Sequence, residues 1–352
     1  MHDQTPARQM AAMVTFGHGG PEMMVYREDW PRPEPQAGEV LVRVTAAALN
    51  NTDLWTREGR YGTADDPDAV AGWRGVPLDF PRIQGLDVCG VVVRVGEGVD
   101  PKWLDRRVLI DPIVDYDERG FPQRLIANEA DGGFAQFHCS PIGQIHDVSS
   151  SPLSDTQLAC LPTAYGTALG MINRAGCRSG ERVLVTGASG GVGSAAVQIL
   201  TARGCQVIAR TSSGKQDRVR DMGAHEVSVR GIDPLADIAE VDAIVEVVGG
   251  GEFAPLFDRL RDGGRMVVAG AIAGPVVELD LRRLYLRQRR LIGSTMHTRN
   301  DFAELTTLAI DGALWPEIAA TYRLDELHEA QQRFTMKDFV GKLVVTPSHH
   351  GR

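Results

Sequence analysis

Three glycines stand three residues apart in "VLVTGASGGVGSAAVQIL", residues 183–200. Gly187, Gly190 and Gly193 lie between a strand-like run and a helix-like run. A turn of this kind lets bare backbone approach a pyrophosphate, and the helix behind it offers free N–H groups and the positive end of its dipole. A Cβ at any of the three would obstruct one of these approaches. Ser189, Gly190, Gly191, Val192 and Gly193 are therefore candidate phosphate-contacting residues. The same letters also read Gly187-x-Ser189-x-Gly191, the nucleophile elbow of serine hydrolases, with Ser189 as nucleophile and His328 and a later acid as partners. A hydrolase has no use for Gly193, however, and no HGGG-like oxyanion segment precedes the elbow.

A second group follows at the next strand end. Dinucleotide sites read the adenosine ribose about 20 residues after the glycines, with an acid where the 2′-hydroxyl of NAD is held. Here the segment is "VIARTSSGK", 207–215, and no acid appears before Asp217. Arg210, Thr211, Ser212 and Lys215 combine cations with hydroxyls, which suits a 2′-phosphate, so NADPH is expected rather than NADH. A third group is Asp87 and Cys89 in "QGLDVCG", 84–90. Both types can hold zinc. The alternative is a glycine turn entering a strand.

The elements that must position these groups differ between the two parts of the chain. In the first 150 residues, "EVLVRVTAAAL" (39–49), "CGVVVRVG" (89–96) and "RRVLI" (106–110) are bounded by Gly, Pro and Asp, which predicts a mostly β domain. Residues 61–79 have no period and predict a long surface loop of a length that is often functional, with Trp73 a candidate for shaping substrate choice and a plain surface loop the equal alternative. Ser154 is placed to cap a helix, with Gln157 at the capping-box position. Beyond it, "RVLVTG" (182–187), "QVIAR" (206–210), "AIVEVVG" (243–249), "RMVVAG" (265–270) and "RLIGST" (290–295) alternate with helical patterns. Near-continuous apolar strands between helices predict a parallel sheet covered on both faces. Val192, Ala195, Ala196, Ile199 and Leu200 keep helical spacing after the glycine turn. A helix over 300–311 and a strand at "GKLVVTP" complete the chain.

The composition is that of a globular protein: 352 residues, 43% hydrophobic, 24% charged, net charge −9. An acidic balance argues against nucleic acid or an anionic membrane as partner. The one basic run, 281–290, reads as a solvated helix face or as a site for an anionic group. No segment approaches the roughly 18 apolar residues of a membrane span, and the first 14 residues lack the apolar core of a signal peptide. Five scattered cysteines read as reduced thiols, and the expected location is cytoplasmic.

The order of "GHGGPEMM" (17–24), "NNTDLWTREGRYG" (50–62), "GLDVCGVVVRVGEGV" (85–99), "LPTAYGTAL" (161–169), "GASGGVGSAAVQ" (187–198), "LIGSTM" (291–296) and "VGKLVV" (340–345) resembles the medium-chain dehydrogenase/reductase superfamily. Within it, the chain is similar to the zinc-independent quinone oxidoreductase branch, the zeta-crystallin-like proteins. The resemblance implies an α/β fold. Its β-rich GroES-like catalytic domain would span 1–153, completed by 298–352, and its Rossmann domain, with a doubly wound parallel sheet, 154–297. It implies hydride transfer from NADPH to a quinone or to the β-carbon of an α,β-unsaturated carbonyl compound. The other readings kept open are an NADPH-binding protein without activity, the serine hydrolase and a zinc alcohol dehydrogenase. A homodimer paired through "LIGSTM" is expected by analogy.

Zinc members of the superfamily take ligands from three segments that here carry Asn50-Asn51-Thr52, Leu86 and Ala159, with Cys160 one position off. No cysteine lies in 100–138, where a structural zinc would be held. Among Cys and His only the His349–His350 pair stands at zinc-ligand spacing, and no metal is expected. The resemblance also points to Asn50, Asp53 and Thr163 on the nicotinamide side of the cleft, to Thr295 and Lys342 near the cofactor, and to Val248 and Ala271 beside the nicotinamide riboside. Asn50 and Asp53 equally suit a helix cap, and Lys342 an ion pair with an acid. Many relatives place a tyrosine two residues after the acid matching Asp53. This chain has Trp55 there, which leaves Tyr61 as the nearest hydroxyl, and solvent or a substrate hydroxyl is expected to supply the proton. His297 could face the cleft as an acid, or lie at the surface or an interface.

Overall fold

The computed structural model describes residues 9–348. Its six-stranded sheet is parallel throughout. From one edge to the other it runs Glu226–Val229, Gln206–Thr211, Arg182–Val185, Val241–Glu246, Leu260–Val268, Arg290–Gly293. In chain order this is 3-2-1-4-5-6, the doubly wound arrangement. The apolar runs are buried as a sheet covered on both faces requires: Val183, Leu184, Val185, Ile244, Val245 and Val267 have no exposed surface. Several strands stop short of the apolar run that marks them. Thr186–Gly187, Val247–Gly249 and Ala269–Ala271 leave the sheet and form the rim of a cleft.

The helix Gly191–Ala202 starts inside the glycine turn and buries Ala195, Ala196, Ile199 and Leu200, as its spacing predicts. The helix Asp155–Ala159 starts at Ser154, whose hydroxyl accepts the Gln157 N–H at 3.2 Å, while Gln157 Oε1 accepts the Ser154 N–H at 3.0 Å. A π-helical turn, Leu161–Tyr165, and the helix Gly166–Ala175 follow. These elements carry one apolar core from the first lobe (Ala46, Ala48, Cys89, Leu109) into the sheet (Val183, Val185).

The other lobe is β-rich. Its larger sheet runs Ile145–Asp147, Arg107–Ile110, Cys89–Val95, Glu39–Ala48, Lys342–Thr346, Ile318–Arg323, with Phe137–Pro141 also paired to Glu39–Ala48. Two strands from the end of the chain thus complete a sheet begun near its start. That return carries Lys342 from the last segment to the first lobe's cleft.

Three outcomes of the sequence reading have local causes. Glu226–Val229 and Ile318–Arg323 are strands that the pattern does not mark, because each lies at a sheet edge and is half exposed. The loop 61–79 is more than surface. Its backbone turns back on itself, Ala71 and Gly72 are buried, and the Trp73 indole N–H donates to Glu129 Oε1 at 3.1 Å. The basic run is neutralised locally. Arg282 pairs with Asp280, Arg283 with Asp258 and Arg287 with Asp262, as on a solvated face.

Candidate active site

A cleft of about 830 Å³ opens between the lobes, at the carboxyl ends of Arg182–Val185 and Val241–Glu246 where the strand order reverses. Ligands of doubly wound sheets bind at this point. The structure brings together Asn50, Tyr61, Thr163, Ser189, Gly190, Gly191, Val192, Gly193, Arg210, Thr211, Ser212, Lys215, Val248, Ala271, Thr295 and Lys342, all of which line the cleft. Asp53 is the exception. It has no exposed surface, so it cannot touch a substrate. Its carboxylate accepts the Asn50 N–H at 2.7 Å and holds the first turn of the helix Asn51–Glu58. Burial pushes its pKa up to about 7.

The floor of the cleft is a buried polar network. Lys342 Nζ donates to Leu49 O at 2.7 Å, to Asp87 Oδ2 at 3.2 Å and to Asn50 Oδ1. Asn50 Nδ2 donates to Asp87 Oδ2 at 2.9 Å, and Asp87 Oδ1 accepts the Thr163 N–H at 2.7 Å from the π-helical turn. The Lys342 stem packs beside the glycine turn, where a Cβ on Gly191 would lie 3.0 Å from Lys342 Cδ. One lysine therefore joins the glycine turn to the β-rich lobe.

This donor set does not suit zinc. Asn50 and Asp87 are bound to each other and to Lys342, while Leu86 and Ala159 carry no donor. The Cys160 thiol donates to Thr156 O at 3.2 Å, and burial pushes its pKa up to about 12. Zinc takes deprotonated sulfur, free imidazole or carboxylate oxygen, and the Asp87 carboxylate is committed to Lys342, Asn50 and the Thr163 N–H. Among the described residues no three His, Cys, Asp or Glu side chains gather as a metal set. His349–His350 lies outside the described residues. His297 does not face the cleft. It is fully buried against Phe302, with Nε2 3.0 Å from Asp111 Oδ1. The hydrolase pairing is not assembled either, because the His328 ring is held by the carbonyls of Pro21 and Met24.

The end of the cleft at the strand Gln206–Thr211 holds a residue the sequence reading missed. Glu252, 42 positions beyond Arg210, accepts bidentate hydrogen bonds from Arg210 Nε and Nη2 at 3.0 and 2.7 Å. Arg210 Nη1 donates to Ser228. An acid therefore does reach this end, from another strand's loop. Thr211 Oγ1 is buried without a partner, and Lys215 and Arg230 line the same wall. Gly187 turns with φ +56°, and Glu246 holds the facing turn by accepting the N–H groups of Val248 and Gly249. A dinucleotide fits this cradle of backbone, hydroxyls and cations.

The outer part of the cleft is aromatic and apolar: Trp55, Tyr61, Trp73, Leu86, Leu125 and Met296. Tyr61 OH donates to Thr52 Oγ1 at 2.9 Å, and its ring stands edge-on to Trp55. Trp73 comes from the 61–79 loop, for which the sequence left a substrate-shaping role and a surface role equally open.

Two family sequence models match the chain: the alcohol dehydrogenase GroES-like domain over residues 36–150 and the zinc-binding dehydrogenase over 191–311. The acryloyl-coenzyme A reductase of Sulfurisphaera tokodaii is 29% identical over 342 residues, 93% of this chain and 98% of that protein. The quinone oxidoreductase of Rattus norvegicus is also 29% identical, over 93% of this chain and 94% of its own. A protein of Sinorhizobium meliloti 1021, provisionally named an alcohol dehydrogenase, is 44% identical with a TM-score of 0.94, covering 98% of both chains.

Proposed function

The chain belongs to the medium-chain dehydrogenase/reductase superfamily, and from that premise we propose that it is an NADPH-dependent, zinc-independent oxidoreductase. Its substrate is a quinone or an α,β-unsaturated carbonyl compound, reduced at the β-carbon. The observation that carries this reading is the Lys342–Asp87–Asn50 network, which fills the cleft floor with paired groups beside a dinucleotide cradle. Without a Lewis acid the stabilisation of an alkoxide is lost, whereas an activated acceptor remains reducible. The names of the relatives, quinone oxidoreductase and acryloyl-coenzyme A reductase, support the same reaction class.

Bound NADPH supplies the hydride. The chain's own part is to position and to exclude water. Thr211, Ser212, Lys215 and Arg230 face the 2′-phosphate end, and the turn 189–193 faces the pyrophosphate. Trp55, Trp73, Leu86 and Met296 hold a flat unsaturated substrate against the floor. The Lys342 N–H groups are all engaged within the network, so its charge acts through the field it creates at the cleft floor.

The test is NADPH oxidation against quinones, enones, acrylates and enoyl thioesters, with metal content measured on the same sample. Turnover by metal-free protein is expected. Alcohol oxidation that requires added zinc would overturn the reading.

Two narrower outcomes follow. Glu252→Gln should raise the NADPH-to-NADH ratio of kcat/KM by about tenfold, because the neutral amide releases the Arg210 guanidinium toward the 2′-phosphate. An unchanged ratio would mean that Arg210 plays no part in cofactor choice. Tyr61→Phe should lower kcat by less than about tenfold, since the Tyr61 proton is committed to Thr52 and the exposed mouth admits water as proton source. A drop of about a hundredfold in a folded variant would make Tyr61 the donor.

The chain is also proposed to be a homodimer. Arg290–Gly293 is an edge strand with Leu291 exposed, and Leu281, Tyr285 and Leu286 are exposed in the segment before it. An unpaired apolar edge favours pairing with a second copy. Sedimentation at the monomer mass would refute this.

A further inference from the structure

The segment 335–341 runs along the cleft and touches both of its walls. Lys215 Nζ, on the dinucleotide wall, donates to Lys337 O at 2.6 Å. The Gly341 N–H donates to Ser189 O, inside the glycine turn, at 3.0 Å. Lys337 Nζ donates to Asn51 Oδ1 at 2.9 Å, on the catalytic wall, and sits 3.3 Å from the centre of the Phe334 ring. Lys337 itself adopts φ +53°, a conformation that a residue with a side chain seldom holds.

The charges around this ammonium do not balance. Lys342 and Lys215 are its charged neighbours within the cleft, and both are cations. Lys342 is already neutralised by Asp87. Asp338, next in the chain, pairs with Arg333 at 3.1 Å and partly offsets the charge of Lys215 without forming an ion pair with it. Arg230 adds a further cation near Lys215. Among the described residues no carboxylate forms an ion pair with Lys337 or Lys215. Burial, then Lys342 and Lys215, bring the Lys337 pKa down to about 7. A half-buried cation among cations is costly unless an anion completes the site.

We propose that Lys337 clamps a phosphate oxygen of the bound dinucleotide from the wall opposite the glycine turn, and that binding draws a proton onto it. The proposal rests on the dinucleotide reading of the cleft. The sign of the pH dependence follows from linkage. Burial and its cationic neighbours hold the pKa of free Lys337 down to about 7, and a phosphate oxygen beside the ammonium favours the charged form and raises that value. Affinity is therefore flat below about pH 7 and weakens above it, by up to about tenfold per pH unit.

The test is calorimetric titration of the full chain with NADPH at about pH 6.5 and about pH 8.5, in two buffers of different ionisation enthalpy. The wild-type chain should take up about one proton per NADPH at the higher pH. Lys337→Met should bind at least about tenfold more weakly at the lower pH and take up none. Lys337→Arg, charged at both values, should keep its affinity and also take up none. A purely structural lysine would not separate these two variants in this way. Wild-type affinity and proton uptake in Lys337→Met would overturn the clamp alone. No binding of NADPH or NADH to the wild-type chain would overturn the dinucleotide reading and the clamp with it. A parallel titration with coenzyme A separates the other phosphate source. Loss of coenzyme A affinity in Lys337→Met, with NADPH unaffected, would assign the lysine to the substrate and overturn the proposal.

Discussion

Gly193→Ala is expected to lose dinucleotide binding and to destabilise the sheet lobe, whereas Gly190→Ala loses binding alone. The two glycines look alike in sequence, but their surroundings differ. A Cβ on Gly193 would press on the Gly187 carbonyl oxygen and lie 2.6 Å from its carbon and 2.8 Å from Ala188 Cα. All three are backbone atoms of the turn itself, so no side chain can rotate away. Overpacking of this kind costs about 1–3 kcal/mol, and here it also forces the turn off the helix that it must abut. A Cβ on Gly190 meets only Gly187 O, at 3.4 Å, an ordinary contact, and its φ of −86° suits any residue. Its methyl would stand where the pyrophosphate comes closest to the backbone. Thermal melting and fluorescence titration with NADPH check both. We expect a fall in Tm for Gly193→Ala only, and a loss of affinity of at least about a hundredfold (roughly 3 kcal/mol) for each. A stable, tight-binding Gly193→Ala would show that the strand–turn–helix junction is not the phosphate cradle.

Lys342→Met should be the most destabilising change at the cleft floor. The Lys342 side chain is 4% exposed and that of Asp87 is not exposed at all. Removing the lysine leaves a carboxylate buried with only an amide and one backbone N–H to hold it. Breaking one side of a buried pair costs about 3–5 kcal/mol, most of it the penalty on the charge left behind. The second change Asp87→Asn removes that charge, so the double variant should be more stable than Lys342→Met alone by about 2 kcal/mol or more. Urea unfolding of the four members of the cycle measures this coupling. A double variant no more stable than the single would locate the loss elsewhere, in the packing of the lysine stem on Gly191. Activity should be lost in both lysine variants, because Asn50 and the glycine turn no longer share a support.

Much of the architecture was legible because it rests on local pattern. Apolar runs with helical spacing between them announced the parallel sheet, and the covered faces of Arg182–Val185 and Val241–Glu246 are the reason those runs are continuous. Edge strands escaped because half-exposed positions need not be apolar, as in Ile318–Arg323. Asp53 stood open between a cap and a site because a first-turn acid serves both with the same letters, and its burial places it in the cap. The absence of an acid after "VIAR" was true of that segment and misleading about the cleft. Glu252 enters from the end of another strand, and parallel topology brings the carboxyl ends of all the strands to one rim.

Sequence alone determined the glycine turn, the class of fold, and the lack of thiols and imidazoles at the positions where relatives hold zinc, because each depends on residue type at short spacing. Tertiary structure decided which charges meet. Lys342 neutralises Asp87 across 255 residues, Glu252 occupies Arg210, and among the described residues no carboxylate pairs with Lys337, whose charged neighbours in the cleft are cations. Coulomb energy and desolvation depend on distance and burial, and both are set only when the chain's last strand returns to its first sheet.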